Sequence, residues 1–285
     1  MQKTIMVTGA TSGLGKETAH ELAIRGAQII VAGRNKDKAE ATTTWIREDT
    51  GNDRVDYLLA DFASLEDVRR LADQFTQRYD RLDVLVNNAG AMFFRRKESV
   101  DGYEMTFAVN HLAPFLLTNL LLATLRTSAP ARVVTVASDS HNGATLEVDN
   151  LQFEKSYSGM KAYGRSKLAN ILFSYELARR LEGSTVTSNA MHPGFVSTGM
   201  GSNNLPSWLA GLLPRITSPF AREVTEGADT IVYLADSSQV EGVSGKYFMD
   251  REPIRSSPLT YDEALARQLW QISARMVGLS QTEVS

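Results

Sequence analysis

The 285-residue chain contains no cysteine. Disulfides, thiol nucleophiles and thiolate metal sites are therefore excluded, and a reducing, cytoplasmic location is expected. Charge of one sign is also lacking. The 30 Lys and Arg against 33 Asp and Glu leave a net charge of −3, which gives no general attraction for nucleic acid or an anionic membrane. No uncharged apolar run reaches the ~18 residues that a bilayer span needs. The longest apolar block, HLAPFLLTNLLLATL at 111–125, is interrupted by Pro114, Thr118 and Asn119 and reads as a buried helix. Only Met1 and Gln2 precede the first strand-like run, so no signal peptide is expected. His20, His111, His141 and His192 show no metal-ligand spacing among themselves, and no metal is expected.

What is present is a regular alternation. Apolar, β-rich runs at 4–8, 28–33, 54–59, 83–87, 131–137, 185–191 and 245–248 are separated by helical patterns. The helices are expected at 14–25, 36–49, 65–79, 102–126, 161–182, 222–235 and 262–277. Strands such as IIVA, DVLVN and RVVTVAS are apolar on both faces, as in a parallel sheet covered by helices. The expectation is one α/β domain over 1–285, doubly wound and Rossmann-type, with a seven-stranded, mostly parallel sheet flanked by helices on both faces. Ligands should bind beyond the carboxyl ends of the strands. Residues 196–221 break the alternation with Gly, Pro and apolar groups, and form either a flap over a site or an ordinary surface loop.

The segment TGATSGLG (8–15) follows the first strand and opens the first helix, with Gly9, Gly13 and Gly15 spaced G-x3-G-x-G. Glycines let the backbone turn sharply and approach a pyrophosphate, and a helix N-terminus offers it free N–H groups. Thr8, Thr11 and Ser12 can add hydroxyl donors. A plain turn is the alternative, but the place between first strand and first helix favours a nucleotide. The second strand ends in VAGRNK, where an NAD site usually carries an acid for the ribose 2′-hydroxyl. Arg34 stands there instead, and a guanidinium can grip a 2′-phosphate with two donors. NADP(H) is therefore the expected cofactor, with Lys16 and Lys36 adding positive potential; the alternative is that Arg34 is a solvated residue starting the next helix.

In AYGRSK (162–167), Tyr163 and Lys167 are one helical turn apart. A phenol is a poor acid or base at neutral pH, and a neighbouring cation would lower its pKa. Alone, the pair reads as a solvated helix face.

From Thr4 to about Met249 these segments resemble, in order, the motifs of the short-chain dehydrogenase/reductase family. TGATSGLG resembles its cofactor loop, giving Gly9, Thr11, Ser12, Gly13, Leu14 and Gly15 as contacts beside Arg34 and Asn35. ADF places Asp61 and Phe62 at the adenine ring. NNAG (87–90) supplies Asn88, Ala89 and Gly90. VNHLAPFLLTNLL puts Asn110 at the active-site asparagine, and VVTVAS ends at Ser138, the family's serine. HPGFVST (192–198) looks like the segment that holds the nicotinamide, through Pro193, Gly194, Val196 and Thr198. The stretches SDSHN, DNLQFEKSYSGMKAYGRSKLANILFSYELARRL and HPGFVST are similar to the branch of retinol dehydrogenases and related carbonyl reductases. That branch carries extra residues between serine and tyrosine, here 25 positions apart.

The resemblance implies catalysis by Asn110, Ser138, Tyr163 and Lys167. Tyr163 would exchange a proton with the substrate oxygen. Lys167 would lower the Tyr163 pKa and bond the nicotinamide ribose. Ser138 would donate to the reacting oxygen, and Asn110 would hold a water linking Lys167 to solvent. Further along that helix, Leu168, Ile171, Leu172 and Tyr175 read as core. His141 is either structural or a substrate contact; His111 and His192 read as packed, and Asp139 as a loop or cap residue. Met92, Phe93 and Phe94, and Trp208, Leu209, Leu212 and Leu213 in the flap, are pocket or packing residues. Together they hint at an apolar or aromatic substrate. Leu265, Leu269, Ile272 and Met276 should dock the last helix on the core. The expected activity is NADP(H)-dependent hydride transfer to or from an apolar ketone, aldehyde or secondary alcohol. The alternatives are an NAD-linked alcohol dehydrogenase of the same fold and a nucleotide-binding sensor without turnover. The expected assembly is a homodimer or homotetramer.

Overall fold

The computed structural model describes residues 2–194 and 223–280. Among the described residues there are eight strands, the seven apolar runs and one more: β1 (Thr4–Thr8), β2 (Gln28–Gly33), β3 (Val55–Leu59), β4 (Val84–Asn87), β5 (Ala131–Val136), β6 (Val186–Met191), β7 (Tyr247–Met249) and β8 (Glu252–Ile254). They lie in one sheet in the order β3-β2-β1-β4-β5-β6-β7-β8. All pairs from β3 to β7 are parallel, in registers such as Val7 beside Val31 and Val86, and Val134 beside Asn189. Every residue of β1, β4 and β6 is buried, as a sheet covered on both faces requires.

The eighth strand corrects the expected count of seven. β8 pairs antiparallel with β7, and its sequence, EPI, is exposed throughout. It has no apolar alternation to betray it, and Pro253 is tolerated because the strand sits at the sheet edge. The two-residue connection, Asp250 and Arg251, has φ of 51° and 64°, the backbone that a tight hairpin needs. Arg251 is held there by its guanidinium pair with Asp229.

Helices α1 (Gly13–Ile24), α2 (Lys36–Thr50) and α8 (Val224–Asp236) cover one face. Their side of the sheet forms a core containing Ile5, Val7, Leu22, Ile29, Ile46, Val86 and Ile231. On the other face lie α3 (Leu65–Arg78), α5 (Ala113–Leu120), α6 (Leu122–Thr127), α7 (Gly159–Arg180) and α9 (Glu263–Met276). Their core includes Met6, Ile30, Phe75, Phe115, Leu168, Leu172 and Trp270. Leu269 is buried there, with Leu265, Ile272 and Met276 packed against it, so α9 docks as its periodicity predicts.

The helix expected over 102–126 is broken. A short α4 (Met105–Phe107), capped by the buried Glu104 carboxylate, runs into a π turn (Ala108–Leu112) before α5. Ala113 N–H bonds the Ala108 carbonyl, five residues back. Pro114 gives the physical reason: it has no N–H for the carbonyl of Asn110, so the regular ladder cannot pass through. The segment expected as a flap or surface loop at 196–221, including Val196, Thr198, Trp208, Leu209, Leu212 and Leu213, lies outside the described residues.

Candidate active site

The strand order reverses at β1. The chain moves from β1 to β2 and β3 on one side, then returns to place β4 on the other. A crevice opens at such a switch point, beyond the carboxyl ends of the strands. The glycine turn follows β1, NNAG ends and follows β4, and Ser138 stands two residues beyond β5.

At the glycine turn, Ser12 occupies the N-cap of α1 but makes no side-chain cap bond. Among the described residues no side chain caps the N–H groups of the first turn, and a pyrophosphate fits that donor set. Gly15 is sterically required: a Cβ there would lie 2.4 Å from Asn88 Nδ2 and 2.6 Å from the Gly9 carbonyl oxygen. Asn88 has a bracing role that the motif alone did not disclose. Its Nδ2 donates to the Thr8 carbonyl at 2.7 Å, while Asn88 and Ala89 N–H groups donate to Thr8 Oγ1 at 2.9 and 3.0 Å. The loop after β4 thus fixes the turn after β1.

Arg34 lies at the exposed end of the crevice, with 73% of its side chain accessible and Asp61 4.0 Å away. A pocket of about 420 Å³ is lined by Arg34, Asn35, Ala60, Asp61 and Arg70 among others. The Asn35 side chain caps α2 by accepting from Lys38 N–H at 2.9 Å. Phe62 is buried in the core. The two lysines expected to add potential are otherwise engaged: Lys16 Nζ sits 3.8 Å above the Trp45 ring, and Lys36 lies 3.6 Å from Glu40.

The deep end is made by side chains. The Tyr163 hydroxyl shares a hydrogen bond with Ser138. Lys167 is buried, its Nζ 5.6 Å from the Tyr163 ring centre and donating to the Val136 carbonyl at 2.9 Å. Burial lowers Lys167 from 10.5 to about 8. Tyr163 moves opposite to expectation. Burial raises its pKa, and the Ser138 hydrogen bond offsets this only in part. Desolvation disfavours the phenolate, and a cation 5.6 Å from the ring does not reverse it.

Asn110 Oδ1 accepts from Ala91 N–H at 2.7 Å, and Nδ2 donates to the Ala91 carbonyl at 3.0 Å and to Ser166 Oγ at 2.9 Å. The π turn thereby ties the loop after β4 to α7. Gly90 lies between the two groups: a Cβ on it would be 3.5 Å from Asn110 Oδ1 and 3.6 Å from Lys167 Nζ. Pro193 and Gly194 follow β6, and Gly194 N–H donates to His192 Nδ1 at 3.3 Å. His111 is packed, 2.8 Å from Ser273 Oγ, and burial lowers its pKa to about 4. Met92 and Phe93 are half-buried, while Phe94 is exposed.

Sequence reasoning missed Ala91, Ser166 and Arg165. Buried Arg165 stacks 3.8 Å over Phe153, donates to the Thr145 and Asn150 carbonyls, and pairs with Glu147 at 3.5 Å. It holds the long segment between Ser138 and Tyr163 against α7. Its signal was its place inside YGRSK, midway between Tyr163 and Lys167.

This fold, with a donor-lined turn after β1 and a hydroxyl pair beside a buried lysine, defines a nucleotide-dependent oxidoreductase class. Residues 3–207 match the family model described as short chain dehydrogenase, and the chain belongs to that family. It is similar to mouse retinol dehydrogenase 14, with 44% identity covering 97% of this chain and 86% of the relative. It is likewise similar to human retinol dehydrogenase 13, with 42% identity over 99% and 86%. Among solved structures, an uncharacterised protein from Mycobacterium paratuberculosis superposes with a TM-score of 0.79, at 33% identity, covering 98% of this chain and 94% of that one. The chain is thus an oxidoreductase of the retinol dehydrogenase-like branch, of a fold that binds a nicotinamide cofactor and acts on alcohols or carbonyls. Among the described residues, no helix is long and apolar enough to cross a membrane.

Proposed function

We propose that the protein is an NADP(H)-dependent oxidoreductase that interconverts an apolar ketone or aldehyde with its alcohol, using Tyr163 as general acid and base. The observation carrying this reading is the Tyr163–Ser138 hydrogen bond beside the buried ammonium of Lys167. The nicotinamide cofactor, when bound, supplies or accepts the hydride. The first-turn N–H groups of α1 and the turn at Gly9, Thr11, Ser12, Gly13, Leu14 and Gly15 would hold its pyrophosphate. Asp61, Asn88, Ala89, Gly90, Pro193 and Gly194 would line the remainder, and Arg34 would meet a 2′-phosphate through its exposed guanidinium.

In the reductive direction, negative charge develops on the substrate oxygen. The Ser138 hydroxyl donates to it, and the Tyr163 phenol delivers its proton. Burial raises the Tyr163 pKa and by itself makes the phenol a weaker acid, so proton delivery depends on Ser138 and Lys167 to stabilise the phenolate. Lys167 holds the ribose hydroxyls and stabilises the phenolate left behind. Asn110 braces Ala91 and α7; its main-chain carbonyl, which Pro114 cannot satisfy, is the acceptor we assign to a water leading towards Lys167.

The apolar substrate class is supported by exposed Phe94 beside half-buried Met92 and Phe93, and by the retinol dehydrogenase relatives. We take the chain to be one cytoplasmic catalytic domain assembled as a homodimer or homotetramer. The test is the decay of nicotinamide absorbance with NADPH and, separately, NADH, over aromatic ketones, apolar aldehydes and retinal. Faster turnover with NADPH is expected. A preference for NADH would remove the role given to Arg34, and binding of either nucleotide without turnover of any substrate would favour a sensor.

A further inference from the structure

His141 lies three residues beyond Ser138, and its imidazole is 1% exposed. Such burial denies it to a substrate, which leaves the structural alternative of the sequence reading. Both ring nitrogens have backbone neighbours of fixed polarity. Nδ1 is 2.7 Å from the Ser138 carbonyl oxygen, which can only accept. Nε2 is 3.1 Å from the Ser257 N–H, which can only donate. These two partners permit one protonation state: neutral imidazole with hydrogen on Nδ1. Burial favours the same neutral form. The ring stands edge-on to Tyr247 with centres 5.1 Å apart, and Tyr247 stacks on His192 at 5.5 Å. The turn has no freedom on its other side: a Cβ on Gly164, in α7 next to Tyr163, would lie 2.6 Å from the Ser140 carbonyl oxygen.

We infer that His141 is the positioning residue for Ser138, its Nδ1–H fixing the carbonyl of the catalytic serine while Ser257 N–H fixes the imidazole. The segment at the other end is itself tied down. Ser256 Oγ is 2.9 Å from the Tyr175 hydroxyl and 2.6 Å from Thr260 Oγ1. A chain of fixed groups therefore runs from α7 through residues 256–260 and His141 to the peptide that aims Ser138 Oγ at Tyr163. The inference rests on the catalytic reading of Ser138.

Two conservative variants divide the two bonds. In His141→Asn, Nδ2 can take the place of Nδ1 and keep the Ser138 bond while losing Ser257. In His141→Gln, Oε1 can take the place of Nε2 and keep the Ser257 bond while losing the side-chain bond to the Ser138 carbonyl, which then keeps only the backbone N–H of residue 141, 3.2 Å away. Each loses one buried hydrogen bond, so a merely structural role lowers stability and turnover equally in both. The inference expects divergence: kcat about tenfold down in His141→Gln with little change in KM, and recovery to within about threefold of wild type in His141→Asn, at similar Tm. In a Ser138→Ala background, the His141→Gln change should have no further effect on kcat. Equal losses in the two variants, or full effect of His141→Gln without the serine hydroxyl, would overturn it. So would a ¹⁵N spectrum of the wild type at pH 6–7 showing hydrogen on Nε2, an outcome independent of how the variants fold. Wild-type kcat in Ser138→Ala alone would instead overturn the catalytic reading on which the inference stands.

Discussion

The two ends of the crevice are built from different materials. At the glycine turn, the groups proposed to bind the cofactor are backbone N–H donors, and side chains such as Thr8 and Asn88 hold that backbone in place. Around Tyr163 the groups proposed to act are side chains, and backbone carbonyls such as Val136 hold them. Position is therefore sensitive to an added atom at the first end and to a removed atom at the second. Charge differs as well. Arg34 is largely solvated, whereas Lys167 is buried and shifted.

The sharpest way to break the comparison is Tyr163→Phe, which removes one oxygen and leaves the turn untouched. We expect kcat to fall ~100- to 10,000-fold, with NADPH affinity by fluorescence titration little changed. Wild-type turnover would end the acid–base assignment. At the other end, Gly15→Ala adds one carbon against Asn88 and the Gly9 carbonyl. It should cost ~1–3 kcal/mol by chemical denaturation, as overpacking does, and weaken nucleotide binding. A fully stable variant with normal affinity would show that the turn has slack.

The buried lysine can be tested by pH. Its folded pKa of about 8 lies below the unfolded value of 10.5, so between these values the unfolded chain binds more protons. Its contribution to stability therefore rises as pH increases through that window, by ~3 kcal/mol in all. Denaturation of wild type and Lys167→Met at pH 7.5 and 10 should show the wild type gaining relative to the variant. Parallel changes would mean that the ammonium is better solvated than its position implies. The smallest effect on the fold belongs to Arg34→Leu. Its exposure predicts a stability change within ~0.5 kcal/mol, while loss of a charge-assisted phosphate contact should raise KM for NADPH ~tenfold. Equal rises for NADPH and NADH would exclude a 2′-phosphate contact.

Most of the scaffold was legible because parallel strands are buried on both faces and read as continuous apolar runs. The turn after β1, Ser138 and the Tyr163–Lys167 pair were legible for a related reason: each is a short local pattern at a strand end or on one helix face. β8 was not, since three exposed residues with a proline carry no periodic signal. The break before α5 could have been read from Pro114, but the apolar run hid it. Asn110 was named without its partners, because Ala91 and Ser166 are distant in sequence and meet it only across elements.

By itself the sequence determined the alternation of strand and helix, the absence of thiol chemistry, and which side chains stand where the strands end. It did so because periodicity and residue type are local properties. Only the tertiary structure decided that Tyr163 is raised rather than lowered, that Asn88 and Asn110 are braces, and that His141 has a single permitted tautomer. Those outcomes depend on desolvation and on hydrogen-bond partners brought from far along the chain, and neither is a property of any short segment.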